Sequence, residues 1–147
     1  MTTNKGSGSG SGYGYGDGSG YGYGDGYGYG HYWCATIPYF AGKWPAEQRA
    51  RYEQAKAECL TIAFWRSTQS GAPANGGFEI EPAAPGVIHT ARGPLQLCQS
   101  GTLHATFVPT KWKGDRWWIV AMHGEVAADD GDDKIGALRR EILGEAL

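Results

Sequence analysis

Gln96-Leu97-Cys98-Gln99-Ser100-Gly101-Thr102-Leu103-His104-Ala105-Thr106-Phe107 is followed, after a Pro/Lys/Gly/Asp connection, by Arg116-Trp117-Trp118-Ile119-Val120-Ala121-Met122-His123-Gly124-Glu125-Val126, and the fold turns on how these runs are read. In the first, Leu103, Ala105 and Phe107 fall on one side and Thr102, His104 and Thr106 on the other, the period of two of a half-buried strand. In the second, Trp118, Val120, Met122 and Val126 share one side, while Trp117, Ile119, Ala121, His123 and Glu125 share the other. Both sides of that run are largely apolar, which predicts a central strand covered twice. Lys111, Lys113 and Arg116 alternate with Trp112 and Trp117 between the two, and read as the polar residues of a hairpin turn flanked by core tryptophans.

Working outward, the chain divides into a repeat and a foldable remainder. From Gly6 to Gly30 every even-numbered residue is glycine. The odd positions carry serine, then tyrosine and aspartate, with an eight-residue period in which Tyr13, Tyr15 and Asp17 return as Tyr21, Tyr23 and Asp25. Glycine has the most backbone entropy to lose on ordering, so a single tract reads as a flexible tether. Strict alternation also permits lateral packing, because an extended tract would carry Tyr13, Tyr15, Tyr21, Tyr23, Tyr27 and Tyr29 on one face and bare glycine on the other. The tract resembles silk-like glycine-X repeats and the glycine-rich segments of some phage tail and adhesin proteins. In-register Asp17 and Asp25 would repel and limit such stacking.

Residues 31–147 are expected to form a single compact α+β domain, a small antiparallel sheet packed with one or two helices, with room for one core. A first strand is expected in His31-Tyr32-Trp33-Cys34-Ala35-Thr36-Ile37-Pro38-Tyr39-Phe40, ended by Pro38. Trp44-Pro45 then opens a helix with an apolar stripe of Ala46, Ala50, Ala57, Leu60 and Phe64. Its charged residues, including the pairs Glu47 with Arg51 and Arg49 with Glu53, read as a solvated face. Leu60-Thr61-Ile62-Ala63-Phe64-Trp65-Arg66 suits a helix or a strand equally. Residues 78–81, 87–90 and 95–98 read as short strands of an antiparallel meander punctuated by proline and glycine. Ile135, Leu138, Ile142 and Ala146 make a helical stripe over residues 134–147, with Asp132 or Asp133 as its cap.

Charge and composition narrow the function classes. A net charge of −2 and a pI near 6.1 supply no general attraction to phosphate backbones, so nucleic-acid binding is not expected. Cys34, Cys59 and Cys98 are odd in number and widely spaced, which fits buried free thiols in a reducing compartment better than a disulfide framework or a paired zinc site. No apolar run follows Met1, and no window approaches a membrane span, so a cytoplasmic or virion-associated protein without membrane insertion is expected. An EF-type calcium loop begun at Asp130 would put Lys134 at position five and Ile135 at position six, where an oxygen ligand and a glycine are required. His89, His104 and His123 lie in expected strands and, if they converged with Glu125, would form a metal or acid–base site. Cys98 with His104 as a nucleophile pair stands on similar ground.

Pro94-Leu95-Gln96-Leu97-Cys98, Gly101-Thr102-Leu103-His104-Ala105, Gly124-Glu125-Val126, Asp133-Lys134-Ile135 and Leu138-Arg139-Arg140-Glu141-Ile142-Leu143 together resemble a small uncharacterised domain family of phages and bacteria. Its pattern is a Cys, a Gly-Leu-His-Ala turn, a Gly-Glu-Val strand end and an Asp-Lys before a helix. Thr102, standing between Gly101 and Leu103, departs from that pattern. The resemblance implies a phage or prophage origin and no particular chemistry. The turn is also distantly similar to ADP-ribosyltransferase-like folds, which implies an NAD cleft with His89, Thr90, Tyr32 and Glu125 as its candidate residues.

Three functions follow as expectations. The leading one is a non-catalytic structural or interaction protein that needs no cofactor and associates with itself, or with another assembly protein, through the Gly-Tyr tract. The second is an enzyme with His104, His123 and Glu125 lining an NAD cleft. The third is a small regulatory binder of a host protein.

Overall fold

Pro38 sits in the first turn of a helix, where its missing N–H costs no hydrogen bond, and not at the end of a strand. The computed structural model describes residues 32–75, 80–129 and 134–147. The expected first strand is replaced by α1 (Ile37–Ala41), which buries Ile37 and Ala41. Pro45 immediately precedes α2 (Ala46–Ala57), as anticipated, but the face that α2 buries is Tyr52 and Ala55. Ala46, Ala50 and Ala57 are exposed, because alanine is too small to anchor a helix that a tyrosine can anchor instead. Cys59 takes a positive φ of 62° just after the helix, and the chain enters β1 (Thr61–Ser67), which assigns the ambiguous 60–66 segment to a strand.

The remaining elements are β2 (Ile88–Thr90), β3 (Leu103–Thr106), a 3-10 turn at Pro109–Lys111, β4 (Arg116–His123), β5 (Ala127–Ala128), β6 (Lys134–Ala137) and β7 (Arg139–Glu145). They form one seven-stranded antiparallel sheet in the order β2-β7-β4-β1-β3-β6-β5, so the protein is mostly sheet with short helices. This is not a meander. β3 and β4 do not make a hairpin; β1 lies between them and pairs with both. Residues 95–98 form no strand, Ile80 and Glu81 lie in irregular chain, and Phe78 and Glu79 fall outside the described residues.

The largest correction is at the C-terminus, where the expected helix over 134–147 is β6 and β7. Asp132 and Asp133 lie outside the described residues, but the segment they would cap is a strand. From Ile135 to Gly144 nearly every side chain is buried, so no polar face exists to reveal a period. Only Leu138 separates β6 from β7, yet three strands stand between them in the sheet. In a flat sheet that separation is about 19 Å, whereas the step from Ala137 to Arg139 spans at most about 7 Å. The sheet therefore curls into a small barrel. Residues 134–145 act as one strand kinked at Leu138, which pairs first with β3 and then with β4.

Two cores result. Inside the barrel, Trp65, Trp118, Val120, Met122, Ala105, Ile135 and Ile142 pack together. Outside it, Phe64, Ile119, Ala121 and Leu143 are covered by Ile37, Ala41, Trp44 and Tyr52 of the helical segment. The alternation expected of β4 is thus observed, and the strand is covered on both sides. Opposite β4, Leu143 is an extra residue between Ile142, paired with Val120, and Gly144, paired with Ile119. This bulge turns both Leu143 and Gly144 toward the helices. Trp44 lies flat on the bare glycine and donates its indole N–H to the Glu145 carbonyl at 2.9 Å.

A Cβ on Gly144 would stand 2.4 Å from the Trp44 ring. Gly144→Ala is expected to lower unfolding stability by about 1–3 kcal/mol, the usual cost of overpacking, in urea titrations followed by tryptophan fluorescence. An unchanged midpoint would show that Trp44 is not seated there.

Candidate functional site

Arg140 projects from β7 to the same side as Ile142, into the barrel, and only 3% of it is exposed. Its guanidinium stacks on the Trp65 ring at 4.2 Å. Nη1 donates to the His104 carbonyl at 2.8 Å, and Nη2 donates to Nδ1 of His89 at 2.9 Å. Nε is buried without a hydrogen-bond partner. Among the described residues no carboxylate pairs with this cation. Burial pushes its pKa down to about 9, which still leaves it charged at neutral pH.

The surrounding groups hold that charge without cancelling it. His89 is buried; its Nδ1 accepts from Arg140, so the proton lies on Nε2, which donates to the Glu81 carbonyl at 2.7 Å. Burial, and then the Arg140 charge, lower the pKa of His89. His104 is lowered likewise by burial, then by Lys134 and Arg140. Both rings are therefore neutral at neutral pH.

Above Arg140 opens a cavity of about 600 Å³ at the end of the barrel. Trp65, Trp112, Ile80 and Leu103 supply its apolar wall, and His104, Lys134, Gln99 and Asn75 its polar side. Among the described residues lining it there is no aspartate or glutamate. The 93–102 loop forms one rim. Thr102, the residue that departs from the resembling pattern, is buried and ties this loop together: its hydroxyl accepts from the Gln96 N–H at 2.9 Å and donates to the Pro94 carbonyl at 3.1 Å. The cysteines are not buried as expected: Cys34 is half-buried, Cys59 is exposed, and Cys98 is exposed on the rim with a φ of 65°, a conformation that residues other than glycine adopt rarely. Its backbone N–H donates to Nε2 of His104 at 2.9 Å, and its Sγ accepts from Lys134 Nζ at 3.2 Å. Cys98 and His104 are thus brought together, but through the Cys98 backbone and not through its thiol.

The other candidate residues go elsewhere. His123 faces the helix side of β4 and bonds Glu141 at 3.0 Å, while Arg51 of α2 makes two bonds of 2.7 Å to the same carboxylate. Arg51 is therefore a docking residue of α2 and not part of a solvated face, and it is the main cause that holds the Glu141 carboxyl below its ordinary pKa. Glu125, Thr90 and Tyr32 are exposed whereas His89 is buried, and none of the four is among the residues that line the cavity. Arg116, expected in a hairpin turn, lies in β4 and pairs with Glu145 at 2.8 Å. Tyr13, Tyr15, Tyr21, Tyr23, Tyr27 and Tyr29 lie outside the described residues. Among the described residues no group of three or more His, Cys, Asp or Glu side chains is arranged to hold a metal ion, and no helix is long and apolar enough to cross a membrane. Arg140 and Lys134 escape a helical reading of 134–147; read as a strand, Arg140 and Ile142 share an inward side, which is the sequence signal that could have found Arg140.

The lowered pKa of His89 has a defined consequence. Below its ordinary pKa near 6.5 the unfolded chain binds a proton that the folded chain resists, so stability falls as pH drops from 7 toward 5. His89→Gln, which keeps an acceptor for Arg140 and a donor for Glu81, should flatten the dependence of Tm on pH in that window. The same slope in both proteins would show that His89 takes up its proton without cost.

Compared with family models, with curated proteins and with solved structures, the chain finds no match.

Proposed function

We propose that the domain is a binding module for a small anion, a carboxylate or phosphate carried on an apolar or planar body. The observation that carries this reading is the buried Arg140, which pairs with no carboxylate among the described residues, in the lining of a cavity that Lys134 also faces. Burying a cation without a counter-ion is costly, and a bound anion supplies the missing charge. Three features support a ligand larger than a bare ion. The volume suits a small molecule, the mouth of a barrel is a common place for one, and Trp112, Ile80 and Leu103 offer apolar surface beside the charge.

Inorganic phosphate and benzoate are suitable first probes, with unfolding temperature as the readout. A ligand at one hundred times its Kd stabilises by about 2.7 kcal/mol, so Tm should climb with the concentration of the better probe. Lys134→Gln, at a partly buried position, is expected to weaken binding roughly tenfold, the worth of about 1.4 kcal/mol, while leaving the ligand-free Tm nearly unchanged. Saturation curves that coincide for the two proteins would remove Lys134 from the site, and no shift with either probe would count against the anion reading.

The regular alternation of residues 6–30 favours a second role for the same chain, self-association through the Gly-Tyr tract with the barrel displayed on the assembly. Sedimentation of the full chain beside one lacking residues 1–30 tests it. The full chain should sediment as assemblies and the shortened one as a folded monomer, whereas identical profiles would leave the tract as a tether.

A further inference from the structure

Cys98 is not used by reversible anion binding, yet several features converge on it. Its thiol is exposed at the cavity rim, and its backbone is held in the left-handed region, where glycine would carry no strain. Three contacts fix that conformation: the Cys98 N–H to His104, Lys134 Nζ to Sγ, and the Thr102 hydroxyl across the base of the loop. The sulfur therefore lies 3.2 Å from an ammonium group, on the edge of a cavity also lined by a second cation that pairs with no carboxylate among the described residues.

We infer that Cys98 is a nucleophilic site for small electrophiles that carry their own carboxylate or phosphate. The inference rests on the anion reading of the cavity, because Lys134 and Arg140 are what would draw in and orient the charged end. With the anion held by Lys134, the carbon next to it lies against Sγ, and a bimolecular reaction gains the advantage of fixed proximity. The thiolate pair forms the S–C bond, the leaving group departs with the electrons of its own bond to that carbon, and the thiol proton is released to water. His104 takes no proton from the thiol, since its Nε2 is occupied by the Cys98 N–H; its part is to hold the loop.

The chain contains its own control. Cys59 is also exposed and also has a positive φ, of 62°, but it stands at the end of α2 and is not among the residues that line the cavity. The experiment is alkylation of the full chain with iodoacetate and, separately, with iodoacetamide, followed by peptide mass mapping of each cysteine over time. The two reagents differ in charge and deliver the same one-carbon link, so the ratio of their rates reads electrostatic steering. At Cys98 that ratio should exceed the ratio at Cys59 by about tenfold or more, and Lys134→Gln should bring it back toward the Cys59 value. Equal ratios at the two cysteines, in a protein whose Tm still rises with phosphate or benzoate, would overturn the role of Cys98 and leave the anion cavity standing. Equal ratios together with no Tm shift would overturn both.

Discussion

One residue, Leu138, connects two strands that the sheet order sets three strands apart, and the rest of the molecule follows from this constraint. A chain can cover that distance in two steps only if the sheet bends until β6 and β7 come together. Bending gives the sheet an inside. The tryptophans of β1 and β4 that face inward then pack on Ile135 and Ile142 of the kinked strand, and apolar residues distant in the sequence share one interior. The outer side of the same strands is covered by α1, α2 and Trp44, which rests on Gly144 at the bulge of β7.

The kink also sets the chemistry. Two residues after Leu138, Arg140 is carried inward, where among the described residues it meets no carboxylate. Its donors are divided between the His104 carbonyl and the His89 ring, and its face lies on Trp65, so the charge is held in place by neutral groups. Neutral partners orient a cation without discharging its field. In a purely structural core such a residue is a liability, and an apolar side chain of similar size would pack as well. Beside an open cavity such a cation is consistent with the anion binding proposed above.

The helix side shows the contrasting solution. Glu141, the neighbour of Arg140 in the sequence, faces the opposite way and meets Arg51 and His123, so a buried carboxylate is fully paired. Two consecutive charged residues of β7 thus serve different ends. The outward one fastens α2 to the sheet, and the inward one is left unneutralised at the cavity. Alternation along a strand is enough to separate the roles.

Some of this was legible in the chain. β4 declared itself as a doubly covered strand because Trp118, Val120 and Met122 alternate with Trp117, Ile119 and Ala121, and side chains one apart must face opposite ways in any extended strand. Pro45 marked the start of α2, since proline needs no partner for the N–H it lacks. His104 was a candidate from its strand position and does line the cavity. Those features depend on local geometry, which short sequence windows contain. Pairing partners do not. β1 lies between β3 and β4, and residues 134–147 are strands instead of a helix, because burial on every side erases the polar face that distinguishes a period of 3.6 from a period of two. Whether Arg140 and Lys134 belong to a wet helix surface or to the cavity depends on that choice alone. The sequence by itself determined which segments could be strands and which residues could carry charge; the closure of the barrel, a long-range event between residues far apart along the chain, decided which charges would meet water and which would meet the cavity.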